Sequence, residues 1–153
     1  MKNGRIAVIS GGFDPLHRGH VSYIQAAKNI AGPDGLLIVG LNSDAWLRRK
    51  KGQEFMSWED RHAVVSNIKG VDFCVPMDDS DNTACSLIRA VVSSFPDDIV
   101  IFGNGGDRSS AKATPETDVC EELGVEIVYG VGGSDKANSS SWILDKWSER
   151  PGA

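Results

Sequence analysis

Paired cysteines, an excess of basic residues and long apolar runs are all missing from this chain. With 16 lysines and arginines against 21 acidic residues among 153, the formal net charge is −5. That balance argues against a broad cationic face, and so against duplex DNA or RNA as a partner, because such binding is carried by many contacts to phosphate. Cys74, Cys85 and Cys120 are odd in number and widely spaced, giving neither a C-x-x-C zinc pair nor a disulfide framework. They read as thiols buried in a reducing compartment. Residues 1–10 hold only four consecutive apolar residues, too few for a signal segment, and no later run approaches the length of a membrane span. The expected location is the cytoplasm, without membrane attachment. Neither the dinucleotide fingerprint G-x-G-x-x-G nor a G-K-[ST] phosphate loop occurs.

What is present is a regular alternation. Ile6 to Ile9 is a β-branched apolar run that stops at Ser10-Gly11-Gly12, as a buried parallel strand does at a tight turn. Val21, Ile24, Ala27 and Ile30 then recur at helical spacing from Gly19 to Ile30, ahead of Gly32-Pro33. Leu36 to Leu41 reads as the second strand, followed by a short helix capped by Ser43-Asp44 and ending in Arg48-Arg49-Lys50-Lys51-Gly52. Ser57 opens the next helix with capping-box spacing, Asp60 standing where glutamate is usual, and Ala63, Val64 and Ile68 as its inward face. Val71 to Val75 is strand three, a helix runs from Asn82 or Thr83 through Phe95, and Ile99 to Phe102 is strand four. Pro115 to Leu123 is a helix closed by Gly124, Val125 to Tyr129 is strand five, and Ser139 to Glu149 is the last helix. With 41% hydrophobic residues the chain can fill one core, so the expectation is a single domain over residues 1–153. Its class is α/β: a Rossmann-like, doubly wound, parallel five-stranded sheet with helices on both faces and ligands beyond the strands' carboxyl ends.

The segment Gly12-Phe13-Asp14-Pro15-Leu16-His17-Arg18-Gly19-His20 falls where strand one becomes helix one, at that crevice. Imidazoles three apart at a helix start can face the same way, beside backbone N–H groups and the positive end of the helix dipole, which suits a polyphosphate. Gly12 would let a phosphate approach the backbone, and Gly19 would leave room between the histidines. A zinc site on His17 and His20 lacks partners, since His62 is the other histidine and no cysteine pair lies near.

These residues resemble the H-x-G-H signature of the cytidylyltransferase-like nucleotidyltransferase superfamily, in its G-x-F-D-x-x-H-x-G-H form. The resemblance implies that His17 and His20 contact the triphosphate and stabilise charge at the α-phosphorus, with Gly12, Phe13, Asp14 and Gly19 among the nucleotide contacts. Arg48 to Gly52 can be a solvated helix end. Its place after strand two is similar to the lysine-glycine of glycerol-3-phosphate cytidylyltransferases and heptose-1-phosphate adenylyltransferases, which makes Lys51 the implied phosphate cation and Lys50 its alternative. Arg61 resembles the third-helix arginine of that group, or is a surface ion pair.

Gly103-Asn104-Gly105-Gly106-Asp107-Arg108 follows strand four and can be a plain turn. In the heptose-type relatives Gly-Gly-Asp here meets ribose, which implies Gly106 and Asp107 as nucleotide contacts. Ser139-Ser140-Ser141 is an N-cap before a helix whose Trp142, Ile143 and Trp147 pack inward. It also resembles the family's second signature, I-S-T-T or I-S-S-S, with Asn138 for isoleucine and Lys136 for the upstream arginine. Base contacts are expected from backbone groups near Lys69 to Asp72 and from the Gly103 loop.

The resemblance implies transfer of CMP or AMP from CTP or ATP onto a phosphorylated sugar or polyol, with Mg2+ on the triphosphate, no protein metal ligand, and homodimers by analogy. The alternatives are an adenylyltransferase of the phosphopantetheine or nicotinate mononucleotide type, and a nucleotide-binding regulatory module without turnover.

Overall fold

A computed structural model of the chain describes residues 4–105, 114–132 and 139–152. Five strands, β1 (Arg5–Gly11), β2 (Leu36–Leu41), β3 (Phe73–Pro76), β4 (Ile99–Gly105) and β5 (Glu126–Val131), form one sheet in the order β3-β2-β1-β4-β5, with every neighbouring pair parallel. The helices are α1 (Arg18–Ala31), α2 (Asp44–Lys51), α3 (Trp58–Val65), α4 (Cys85–Ser94), α5 (Pro115–Leu123) and α6 (Ser140–Ser148).

Strand alternation divides the core into two layers. Ile6, Val8, Val100 and Phe102 pack with Leu87, Ile88 and Val91 of α4 and Val119 and Cys120 of α5. On the other face Ala7, Ile9, Leu37 and Val39 meet Ile24, Ala27 and Ala31 of α1 and Val65 of α3. Both faces being covered is why the strands read as unbroken apolar runs. Among the described residues no helix is long and apolar enough to cross a membrane.

The chain works outward from β1 to β2 and β3, then returns to lay β4 on the other side of β1. That reversal opens a crevice at the carboxyl ends of β1 and β4, where ligands of this sheet class bind. The strand one motif leaves the sheet at this point, beside the carboxyl end of β4.

Three packing expectations need correction. Ala63 and Val64 of α3 are exposed, and the helix turns Arg61 and Val65 inward instead. Trp142 and Trp147 do not pack inward: they are 55% and 58% exposed, and α6 buries none of its residues. The helix expected from Asn82 or Thr83 begins at Cys85, because Asn82 sits at φ 64°, outside helical backbone space.

Candidate functional site

At the amino end of α1 the two histidines cap the helix for one another. His17 is the N-cap residue, and its Nδ1 accepts from the Gly19 amide at 3.0 Å. Three residues on, His20 Nδ1 accepts from the His17 amide at 3.3 Å. This is a capping box built from imidazoles instead of hydroxyl and carboxamide. The rings stack 3.9 Å apart at 27°. With both Nδ1 atoms accepting, each neutral ring carries its proton on Nε2, so each presents an N–H donor at its far edge. Burial above all, then repulsion from His17 whenever that ring takes a proton and from the Lys51 ammonium, pushes His20 down to about 4, so at neutral pH it acts as a donor without charge.

Gly12 and Phe13 bend the chain out of β1. Phe13 sits at φ 52° and is buried in the core, its ring 4.9 Å from that of His20. Its side chain therefore packs against the imidazole, which leaves its backbone as the part of the residue that can meet a nucleotide. At Gly12 a Cβ would lie 3.0 Å from Leu47 Cδ2 and 3.5 Å from Trp46 Cζ3, so the glycine lets α2 press against the loop.

Asp14, also expected to face the nucleotide, is 1% exposed. Its carboxylate accepts the amides of Phe55 at 2.7 Å and Met56 at 2.6 Å, so the side chain anchors the segment between α2 and α3. Its carbonyl oxygen accepts from Lys51 Nζ at 2.7 Å. Lys51 is the last residue of α2, released there by Gly52 at φ 89°, and burial holds its ammonium below the ordinary lysine range. Lys50 instead lies over the Trp46 ring, 4.7 Å from its centroid. The fold thus brings Lys51, and not Lys50, onto the histidine loop.

Arg61 is fully buried, which corrects its expected place as a phosphate contact or surface ion pair. Its guanidinium donates to the carbonyls of Met56 (3.1 Å), Gly12 (2.9 Å) and Asn42 (2.8 Å), and pairs with Asp44 at 2.7 Å. One side chain therefore ties the β1 exit, the β2 exit, α2 and the 52–57 segment together.

From the far end of the chain, Ser139 caps α6 by accepting the Trp142 amide at 3.2 Å, and Ser140 Oγ donates to the Pro15 carbonyl at 2.8 Å. Ser141 is exposed on the first turn of α6. Serine run and histidine pair thus share one rim. Gly106, Asp107, Lys136 and Asn138 lie outside the described residues. Lys69 to Asp72 lie elsewhere: the Asp72 amide donates to the Leu37 carbonyl near the start of β2, and its carboxylate takes Lys28 and the Leu37 amide, at the amino ends of the strands. The segment expected to supply base contacts therefore sits away from the histidine loop.

The sequence reading missed Asp79. Nearly buried, it accepts from Asn42 Nδ2 (3.0 Å), the Ser43 amide (2.7 Å) and Ser43 Oγ (2.7 Å), holding the cap of the helix that carries Lys51.

Among the described residues no three His, Cys, Asp or Glu side chains gather as a metal site. The donors on the rim are imidazole, ammonium, hydroxyl and amide groups, and the nearby carboxylate of Asp14 is held by backbone amides. Such a set suits phosphate oxygens, not a hard divalent ion, which asks for oxygen ligands.

Residues 8–105 match the family described as cytidylyltransferase-like. Bifunctional protein HldE of Wolinella succinogenes is 40% identical over 128 residues, covering 82% of this chain and 25% of that protein. The same-named protein of Syntrophotalea carbinolica is 34% identical over 157 residues, covering 97% and 29%. The chain thus spans about a quarter of the length of these curated relatives. A crystal structure of the lipopolysaccharide core biosynthesis protein from Thermoplasma volcanium superposes with a TM-score of 0.63 over 89% of this chain and 100% of that one; at 21% identity it speaks for the fold alone.

Proposed function

The chain belongs to the cytidylyltransferase-like family, and from that premise we propose that it is a nucleotidyltransferase moving CMP or AMP from the triphosphate onto a phosphorylated sugar. The observation that carries the reading is the convergence of the histidine cap, Lys51 and the α6 serines at the crevice between β1 and β4.

A phosphate oxygen of the acceptor attacks the α-phosphorus. A new P–O bond forms, the bond from α-phosphorus to the α,β-bridging oxygen breaks, and that oxygen leaves with the electron pair as pyrophosphate. The side chains form no covalent intermediate. His17 and His20 donate from Nε2 to oxygens of the triphosphate, and the rings are held in register by their own capping bonds, so little reorganisation accompanies the reaction. Lys51 neutralises the acceptor phosphate or the transferring group, a task helped by the partial burial that already disfavours its isolated charge. Ser139, Ser140 and Ser141 bring the positive end of α6 to the leaving phosphates. Mg2+ on the triphosphate would supply neutralisation of its oxygens, and no side chain of the chain is assigned to it. Arg61, Asp14 and Asp79 hold these groups in place without facing the substrates.

Incubation with Mg2+, CTP or ATP and a panel of sugar and polyol phosphates, followed by pyrophosphate detection, tests the proposal. It predicts acceptor-dependent release and a nucleotide-linked product. Nucleotide binding with no release on any acceptor would identify a binding module instead.

A further inference from the structure

Residues 52–57, between α2 and α3, have no regular structure of their own, yet buried charged groups hold them at three backbone atoms. The Asp14 carboxylate takes the amides of Phe55 and Met56, and the Arg61 guanidinium takes the Met56 carbonyl. A fourth restraint comes from Arg48, whose guanidinium meets the Glu54 carboxylate bidentately at 2.7 and 2.8 Å. Both Asp14 and Arg61 also touch the histidine loop, Asp14 by belonging to it and Arg61 through the Gly12 carbonyl. The segment is therefore fixed relative to the reacting groups, not merely to the surface.

At its middle stands Phe55, 57% exposed. A lone exposed aromatic needs no special explanation. A rigidly held one, four residues after Lys51 and bonded through its own amide to the residue whose carbonyl receives Lys51, has a location that matters. Asp14 thus links an exposed aromatic residue, held at its own amide, to the cation of the histidine loop. That pairing matches a phosphorylated sugar, whose phosphate needs a positive charge and whose ring offers a face of C–H groups to an aromatic surface.

Resting on the function proposed above, the geometry points to Phe55 as a specificity-determining residue that packs against the carbon ring of the acceptor while Lys51 holds its phosphate. The strap presents it already in place, so the contact costs little ordering of the chain.

Steady-state pyrophosphate release by wild type, Phe55→Ala and Phe55→Tyr tests this, with the best ring-closed sugar phosphate of the panel and with glycerol 3-phosphate, each nucleotide and acceptor varied in turn. Loss of an aromatic surface predicts that Phe55→Ala raises KM for the sugar phosphate about tenfold. KM for the nucleotide stays within about twofold, and the kcat/KM preference for sugar over glycerol phosphate falls by about the same ten. Phe55→Tyr, which keeps the ring, restores wild-type KM. A sugar phosphate KM within twofold of wild type in Phe55→Ala overturns the assignment, as does an equal rise in nucleotide KM. In either case turnover by wild type leaves the nucleotidyltransferase reading standing. Absence of release from wild type on every acceptor overturns that reading, and the assignment of Phe55 with it.

Discussion

Ser140 reaches across 125 positions of sequence to donate its hydroxyl to the carbonyl of Pro15, two residues before His17. This bond joins the last helix to the first ligand loop, and because α6 buries no residue, little packing backs it up. Ser140→Ala is expected to lower global stability by about 1 kcal/mol, to speed hydrogen exchange of the α6 amides, and to raise KM for the nucleoside triphosphate more than KM for the acceptor. Unchanged exchange in α6 would show that the helix is held by other means.

His20 gives a distinct acid signature. Its imidazole titrates near 6.5 when unfolded and about 4 in the fold. Between those values the unfolded chain binds the extra proton, so folding stability rises with pH through the window. The contribution is complete above about pH 6.5 and disappears as pH falls toward 4. Glutamine is the usual residue at this capping position and can still accept the His17 amide, so His20→Gln should flatten the melting curve against pH between 6.5 and 4 while leaving the helix capped. A titration midpoint near 6.5 for the His20 ring by NMR would contradict the buried, neutral imidazole.

Lys51 and Lys50 separate on geometry. Lys51 Nζ bonds to the Asp14 carbonyl, whereas Lys50 covers Trp46. Steady-state kinetics should find Lys51→Ala reduced about a hundredfold in kcat/KM and Lys50→Ala reduced severalfold at most. Equal losses would mean that both cations serve the phosphates.

Arg61 is expected to act on the fold before it acts on the chemistry. Arg61→Met strands the Asp44 carboxylate and three carbonyl oxygens, a loss of about 3 kcal/mol by the behaviour of broken buried ion pairs. Because the Asp44 side chain is partly solvated, the lower part of the usual range applies. Denaturant unfolding measures it. A variant as stable as wild type with only the acceptor KM raised would return Arg61 to the role of a direct phosphate contact.

Much of this architecture was legible in the sequence because the parallel strands are buried on both faces and announce themselves as short apolar runs. The caps at Ser43, Ser57 and Ser139 all form where their residue types stand. What periodicity missed has a common cause. The inward face of α3 was assigned to Ala63 and Val64 because a buried arginine is invisible to a hydrophobic pattern; Arg61 goes inside because three carbonyls and Asp44, from distant segments, satisfy its donors. Asp79 escaped notice for the same reason, its partners lying at Asn42 and Ser43. Trp142 and Trp147 misled in the opposite direction, being apolar residues on a helix that the sheet does not cover. Within the site, the spacing of His17 and His20 indicated that they act together, but not that each ring would cap the helix for the other.

The central claim is that these imidazoles stabilise a transferring nucleotidyl group, and His20→Gln measures it most directly because it keeps the cap and removes the ring. Pyrophosphate release at saturating nucleotide and sugar phosphate is predicted to fall by about a hundredfold to a thousandfold, with the melting temperature at pH 8 near that of wild type. Release at close to the wild-type rate would contradict the account.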